Sequence, residues 1–406
     1  VGKVTQKNTI RRNLILRALL TNGQMSLTEL KNETGITLPV VSKIVDGLKK
    51  NNLVADVDSY EQVQAGRPPS VVKINGSAGY IMGIDLDRVY THFVIIDLEQ
   101  NITLRYDIKK TFLSNEESVL DELDHETDKV LNIAKIDKSA LLGIGISVPG
   151  IVNGPAGISR SYLNFGEKPL PETLSAKFKK PVNIEHDVKA MALGELWFGG
   201  ARGKDNVLCL KIDWGIGLGI IINGRIYYGS NSYSGEFGHL NIQNTDGGLC
   251  YCGKRGCLET VASGRAIVKK VKEKLSGGLD SLILKESGSR DDIDSRNIVE
   301  AANKGDQFAL EVLEEMAQYI GYGTGILINL FDPEIIIMGG YIASEAPPVF
   351  TDIIRMNSVK SSLSQLNKNV VFSRSKLGKY GSALGVAMLA ARDLFEIEHL
   401  NPSAYI

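Results

Sequence analysis

The hydrophobic pattern of the chain changes period near residue 80. Before it, Ile10, Leu14, Arg17 and Ala18 recur at helical intervals within residues 8–21, with Ile15 and Leu19 beside them, so the spacing predicts an amphipathic helix that Asn22-Gly23 ends. Ser26-Leu27-Thr28-Glu29 reads as a capping box, each of Ser26 and Glu29 accepting from the other's backbone N–H. Leu27 and Leu30 are expected to face inward, and Gly35 to supply a tight turn. Thr37 is placed to cap the next helix and Pro39 fits its first turn, while Val41, Ile44, Val45 and Leu48 share one face. Two short helices split by a glycine turn predict a helix-turn-helix. Leu53-Val54-Ala55 and Val71-Val72-Lys73-Ile74 are expected to pair as a β-hairpin wing, with Gly66-Arg67-Pro68-Pro69 between them.

After residue 80 the apolar residues come in short runs that end at glycine or turn residues. Residues 81–86, 92–97, 142–148, 182–185, 207–212, 219–222 and 335–338 read as strands. Residues 116–135, 188–198 and 385–394 read as helices. Strands alternating with helices predict an α/β body, with ligands gathering where strand ends converge. The 42 glycines in 406 residues, more than the usual share of about 7%, fit such a body with many tight turns.

Charge separates the same two regions. The net charge is −1, yet residues 1–75 carry 11 Lys+Arg against 6 Asp+Glu. A basic module on an acidic body is the distribution of a DNA-binding head. Thr37, Pro39, Val40, Ser42 and Lys43, near the start of the second helix, are the expected contacts to bases and phosphates in a major groove. Arg67, held extended between glycine and proline, is the candidate for a narrow minor groove. The competing reading of this region is a helical bundle that binds a protein. No run of about 18 uncharged apolar residues predicts a membrane span and no secretory signal is evident, so a cytoplasmic protein without membrane insertion is expected.

Cys250, Cys252 and Cys257 crowd into eight residues, eleven positions after His239. One imidazole and three thiolates make a full tetrahedral set for a structural Zn²⁺, with no position left for water; the alternative is three buried free thiols.

Gly235-Glu236-Phe237-Gly238-His239 followed by Cys250-Tyr251-Cys252-Gly253-Lys254-Arg255-Gly256-Cys257-Leu258-Glu259 resembles the signature of the ROK family (repressor, open reading frame, kinase), and the basic head resembles its repressor branch. The resemblance runs from about residue 80 to the C-terminus. It implies a multidomain α/β protein: a winged helix-turn-helix over 1–75, then a two-lobed actin-like, ribonuclease-H-like sugar kinase fold with a sugar cleft. The first lobe would span 76–194, completed by 381–406, and the second 195–380. The resemblance also implies zinc at the His/Cys motif and a sugar held by Asn164, His186, Asp187, Glu236, His239 and Glu259. His186 departs from the Asn usual in the kinases. Asp187 stands where the kinases keep their catalytic base, and its other reading is a helix cap.

The two loops that would approach ATP are altered. Where the kinases have Asp-x-Gly-Gly-Thr, this chain has Asp85-Leu86-Asp87-Arg88-Val89; where they have Gly-Thr-Gly-x-Gly-x-Gly, it has Asp213-Trp214-Gly215-Ile216-Gly217-Leu218-Gly219. New carboxylates and a bulky ring replace the close backbone approach that phosphate needs. The expectation is therefore a non-enzymatic, sugar-responsive regulator resembling those that answer to N-acetylglucosamine, xylose or glucose, with repression as its action. It would bind operator DNA and a sugar or sugar phosphate as a homodimer or homotetramer. The rival expectations are a ROK sugar kinase carrying a DNA-binding domain, and a regulator governed by a protein partner.

Overall fold

The computed structural model describes residues 3–57, 70–166, 168–243 and 247–394. The chain forms two compact units. The first runs to residue 150, takes up 154–185 and resumes at 386; the second holds 151–153 and 186–385.

The first unit begins with helix α1 (Lys3–Asn22), strand β1 (Met25–Ser26), helices α2 (Leu27–Thr34) and α3 (Leu38–Lys50), and strands β2 (Val54–Asp56) and β3 (Val71–Ile74). Both hydrogen bonds of the Ser26–Glu29 capping box form, and Gly35 ends α2 in the left-handed region at φ 66°. Thr37 stands at the start of α3 with extended backbone, but its hydroxyl makes no capping bond. The reason is local: Pro39 has no N–H to give, and the Val40 N–H is taken by the Thr37 carbonyl at 2.9 Å. The buried stripe of α1 centres on Ile15, Leu16 and Leu19, while Ile10 is 52% exposed, so the helix is turned from the face its spacing suggested.

The wing strands pair antiparallel as expected, Val54 with Ile74 and Ala55 with Lys73, and β3 also pairs with β1. The stretch between them that contains Arg67 lies outside the described residues. Leu30, Val41, Val45, Val54, Val72 and Ile74 close one core, and Leu98 from the body belongs to it. Lys73 reaches Glu99 at 2.8 Å, and the Gln100 amide donates to the Leu20 carbonyl. These contacts join the basic N-terminal segment to the sheet of the first unit.

The body of this unit is built on β4 (Tyr80–Leu86), β5 (Thr91–Asp97), β6 (Ile102–Ile108), helix α4 (Ser118–Ala134), β7 (Leu141–Val148), the short strands β8 (Val152–Asn153) and β9 (Ile158–Ser159), helix α5 (Leu170–Phe178) and β10 (Val182–His186). Its five-stranded sheet has the order β10-β7-β4-β5-β6, antiparallel from β4 to β6 and parallel between β4 and β7.

The second unit starts with helix α6 (Asp187–Phe198), then β11 (Val207–Ile212), β12 (Ile216–Ile222) and β13 (Arg225–Ile226). Asn223-Gly224, both at positive φ, form the tight hairpin between β12 and β13. Helices α7 (Gly264–Ser276), α8 (Leu282–Ser287), α9 (Ser295–Asn303) and α10 (Gln307–Phe331) follow, then β14 (Ile335–Gly339), α11 (Tyr341–Glu345), α12 (Pro348–Ser361), α13 (Ser364–Asn367), β15 (Val371–Arg374) and α14 (Gly381–Leu394). The sheet order β13-β12-β11-β14-β15 repeats that of the first unit: an antiparallel three-strand run, then strands added beside its first member. Leu208, Leu210 and Ile212 of β11 face the core beneath α7, α9 and α10. The opposite face carries α6, and Gly219 lets it approach, since a Cβ there would meet Ala192 and the Val188 carbonyl. The second unit takes up the chain at His186, so α6 belongs to it.

Candidate functional site

Strand β10 delivers His186 and Asp187 to the first turn of α6. Asp187 Oδ1 accepts from the Val188 N–H at 2.8 Å, and His186 Nε2 lies 3.2 Å from the same oxygen. Asp187 Oδ2 is paired with Lys211 Nζ at 2.8 Å, and the Ser382 hydroxyl donates to the Asp187 carbonyl. Burial opposes ionisation of Asp187, but Lys211, His186 and the bonds it accepts outweigh that, and its carboxyl is held below the usual range. Burial likewise pushes His186 down to about 4, so it is neutral at pH 7.

The second part of the site is set by Gly235. At φ 86° it lies against the Leu218 carbonyl, where a Cβ would collide, and the chain turns there to present Glu236. A 3₁₀ turn over Phe237–His239 then buries Phe237 in the core and leaves His239 at the site. Glu236 Oε2 is 3.9 Å from His239 Nε2. Residues 240–242 pair with 256–258 through Leu258 N–H to Leu240 O at 2.8 Å and Ile242 N–H to Gly256 O at 2.9 Å, which sets Cys257 beside His239. Cys250 and Cys252 sit on a tight turn closed by Cys250 N–H to Lys254 O at 2.7 Å, with Gly253 at φ 84°.

The donor atoms of His239, Cys250, Cys252 and Cys257 lie within 4.8 Å of one another, and all the cysteines are free thiols. Cys250 Sγ is 3.7 Å from His239 Nδ1, and Cys252 Sγ is 3.7 Å from Cys257 Sγ. This group can hold a metal ion. His239 Nδ1 points into the cluster and Nε2 points out of it, to the Tyr251 hydroxyl at 3.2 Å. The same hydroxyl donates to Glu259 Oε2 at 3.4 Å, and Arg265 lies over the Tyr251 ring. Burial raises the carboxyls of both Glu259 and Glu236 above their ordinary values.

The second unit thus brings His186, Asp187, Glu236, His239 and Glu259 onto the connected strand ends and turns of one body. Asn164 is exposed in the first unit, in a concavity with Arg160 and Lys168, its backbone N–H donating to Asn115 Oδ1. Three side chains escaped the sequence reading: Lys211, Tyr251, and the fully buried Lys189, which donates to the Ser232 carbonyl at 3.1 Å. A lysine inside an apolar run carries no periodic signal, and only the fold shows what it reaches.

The loop after β11 is also occupied from within. The Asp213 carboxylate accepts from the Trp214 N–H at 3.0 Å and from the Tyr341 N–H, at the start of α11, at 2.9 Å. In the first unit, residues 87–90 form a short turn between β4 and β5, and the Arg88 N–H donates to the Asp87 carboxylate at 2.6 Å. In the head, Thr37, Leu38, Pro39 and Lys43 are exposed at the start of α3, while Val40 and Ser42 are half-buried.

The ROK family model matches residues 81–393. The chain belongs to the ROK family. The xylose repressor of Bacillus spizizenii is 32% identical over 407 residues, covering 98% of this chain and 97% of that protein. A solved ROK family transcriptional regulator, a homologue of the E. coli Mlc protein, superposes with a TM-score of 0.77 at 26% identity and covers 98% of each chain. A ROK glucokinase from Streptomyces griseus, solved with glucose and AMPPNP, gives 0.69 at 28% identity and covers all of its own chain but 77% of this one. Among the described residues no helix is long and apolar enough to cross a membrane.

Proposed function

We infer that this ROK protein is a sugar-responsive transcriptional repressor. One observation carries the reading: repressor relatives match the chain end to end, whereas the glucokinase stops short of it by about a quarter, and the family region starts only at residue 81. The remaining N-terminal residues hold the basic, three-helix segment with its antiparallel wing. We assign residues 1–75 to a winged helix-turn-helix that binds operator DNA, with α3 in the major groove through Thr37, Pro39, Val40, Ser42 and Lys43, and Arg67 toward the minor groove. The repeated strand order of the two sheets supports a two-lobed, actin-like plan for the rest, with the chain passing from one unit to the other at 185/186 and within α14.

The sugar is assigned to Asp187, Glu236, His239 and Glu259, with His186 and Asn164. Carboxylates there accept from sugar hydroxyls and the amide both donates and accepts. Zinc is the metal we assign to the His/Cys cluster. Donors at about 2.3 Å from a tetrahedral centre stand roughly 3.8 Å apart, and the two 3.7 Å separations fit that edge. Bound there, zinc ties the 3₁₀ turn of His239 to the cysteine hairpin and so fixes Glu259 and the outward Nε2 of His239.

Phosphoryl transfer rests on positioning and charge neutralisation of the phosphates. Here the Asp213 carboxylate already takes the Trp214 N–H of the second loop and the Tyr341 N–H at the start of α11, and Lys211 holds the Asp187 carboxyl low, which weakens it as a base. These features support a regulator that binds sugar without phosphorylating it, in the cytoplasm, as a homodimer or homotetramer on paired half-sites. The test is a mobility shift with DNA flanking its own gene, titrated with D-xylose, D-glucose, N-acetylglucosamine and its 6-phosphate, beside an ATPase assay with each free sugar. Release of DNA by one of these without ATP turnover is the expected result. ATP turnover at an ordinary enzymatic rate, or no DNA binding, overturns the reading.

A further inference from the structure

Lys211 occupies an unusual lane in the second sheet. Its partners on both neighbouring strands are glycines, Gly217 on β12 and Gly339 on β14. A Cβ at Gly217 would press on Val188, and one at Gly339 would meet the Met191 sulfur, so this face lies directly beneath α6. With no neighbouring side chains to crowd it, the lysine stem runs under the helix and its Nζ reaches Asp187 Oδ2 at 2.8 Å, both side chains largely sheltered at 13% and 18% exposure. Asp187 Oδ1 meanwhile takes the Val188 N–H and faces His186 Nε2. A carboxylate offers about four acceptor positions. Three are engaged, and the one left, on Oδ2, suits a single hydroxyl donor.

We propose that Lys211 is a positioning residue that fixes Asp187 as an ionised acceptor for one hydroxyl of the bound sugar. The proposal rests on the sugar-site reading above and adds a residue that the family signature does not contain. The groups facing the pair are His186 from the end of β10, Lys189 on α6, Glu236 beyond it, and the Ser382 hydroxyl of α14 on the Asp187 carbonyl. Without Lys211, burial of Asp187 is opposed only by the Val188 N–H and by a His186 that is neutral in this range, and the carboxyl moves up. It then protonates as pH falls, and the acceptor is lost on the acid side.

The test is calorimetric affinity of the full-length protein for D-xylose and D-glucose from pH 8 to pH 5, for wild type, Lys211→Met, Lys211→Arg and Asp187→Asn. Taking the ratio to wild type cancels the titration of Glu236 and Glu259, which all the proteins share. The Lys211→Met ratio should fall at least about twofold between pH 8 and pH 5, as protonation of the variant's carboxyl removes the acceptor at the acid end. Lys211→Arg should restore the wild-type profile, and Asp187→Asn should be weak at every pH. A Lys211→Met profile parallel to wild type overturns the proposal. If Lys211→Met does not fold, carbon NMR of the wild-type Asp187 carboxyl, assigned with Asp187→Asn, decides the matter. Titration clearly below the ordinary aspartate value of about 3.9 supports the lysine's role, and titration at or above that value refutes it. Failure of wild type to bind either sugar would count against the functional reading, while the NMR titration would still judge Lys211.

Discussion

Cys252 is the exposed member of a donor set whose other two sulfurs are buried. Replacing its thiolate with a hydroxyl keeps the shape of the turn and removes one of four ligands, so Cys252→Ser isolates metal binding from packing. Elemental analysis by mass spectrometry should find about one zinc per wild-type chain and well under half of that in the variant. Thermal unfolding should shift down with it, because the metal joins two segments otherwise tied by a few backbone bonds. Equal zinc in both proteins would dismiss the assignment. At this scale the cluster was readable because its chemistry is compressed into eight residues and one upstream histidine. Lys211 and Lys189 were not, because their partners lie on other elements: Asp187, across a sheet face, and the Ser232 carbonyl.

Elements were legible where a local rule fixes them, and less so where packing decides. The capping box, the left-handed Gly35 and the wing pairing follow from neighbouring residues, and they stand in the structure as the sequence implied. The orientation of α1 did not follow, because Ile10 and Ile15 are equally apolar and only the surrounding core selects between them. The cap at Thr37 failed for a reason also present in the sequence, the proline two residues on. Gly235 shows how an element is held by one position. Its positive φ and the Leu218 carbonyl beside it leave no room for a methyl group, so Gly235→Ala must move the turn that carries Glu236 and His239. That strain should cost about 1–3 kcal/mol in denaturant unfolding and weaken sugar binding at least as much as Glu236→Ala does. Unchanged sugar affinity in Gly235→Ala would mean that the turn does not position the site.

For the whole molecule the question is whether two chemistries, phosphate neutralisation and hydroxyl recognition, are carried by separate surfaces. The charge distribution favours separate surfaces: the excess of Lys and Arg is confined to residues 1–75, and the acidic residues assigned to the sugar are carried by the second unit. Lys43 is exposed beside the start of α3, so Lys43→Glu reverses one charge at the proposed DNA face without touching a buried residue. Affinity for DNA flanking the gene should drop about tenfold or more at low salt, with a shallower dependence on salt concentration, since fewer counterions are released per complex. Sugar-induced stabilisation, read by thermal shift, should stay as in wild type. Glu236→Ala should do the reverse: full DNA affinity without sugar, and little release when sugar is added. The pair matters more than either variant. A ligand shifts a two-state protein only by its unequal affinity for the two states, so a variant that cannot bind sugar should behave as wild type in its absence. If each variant lost both properties, the head and the sugar site would be one folding unit with one function, and the shared core around Leu98 would be the place to look for the cause.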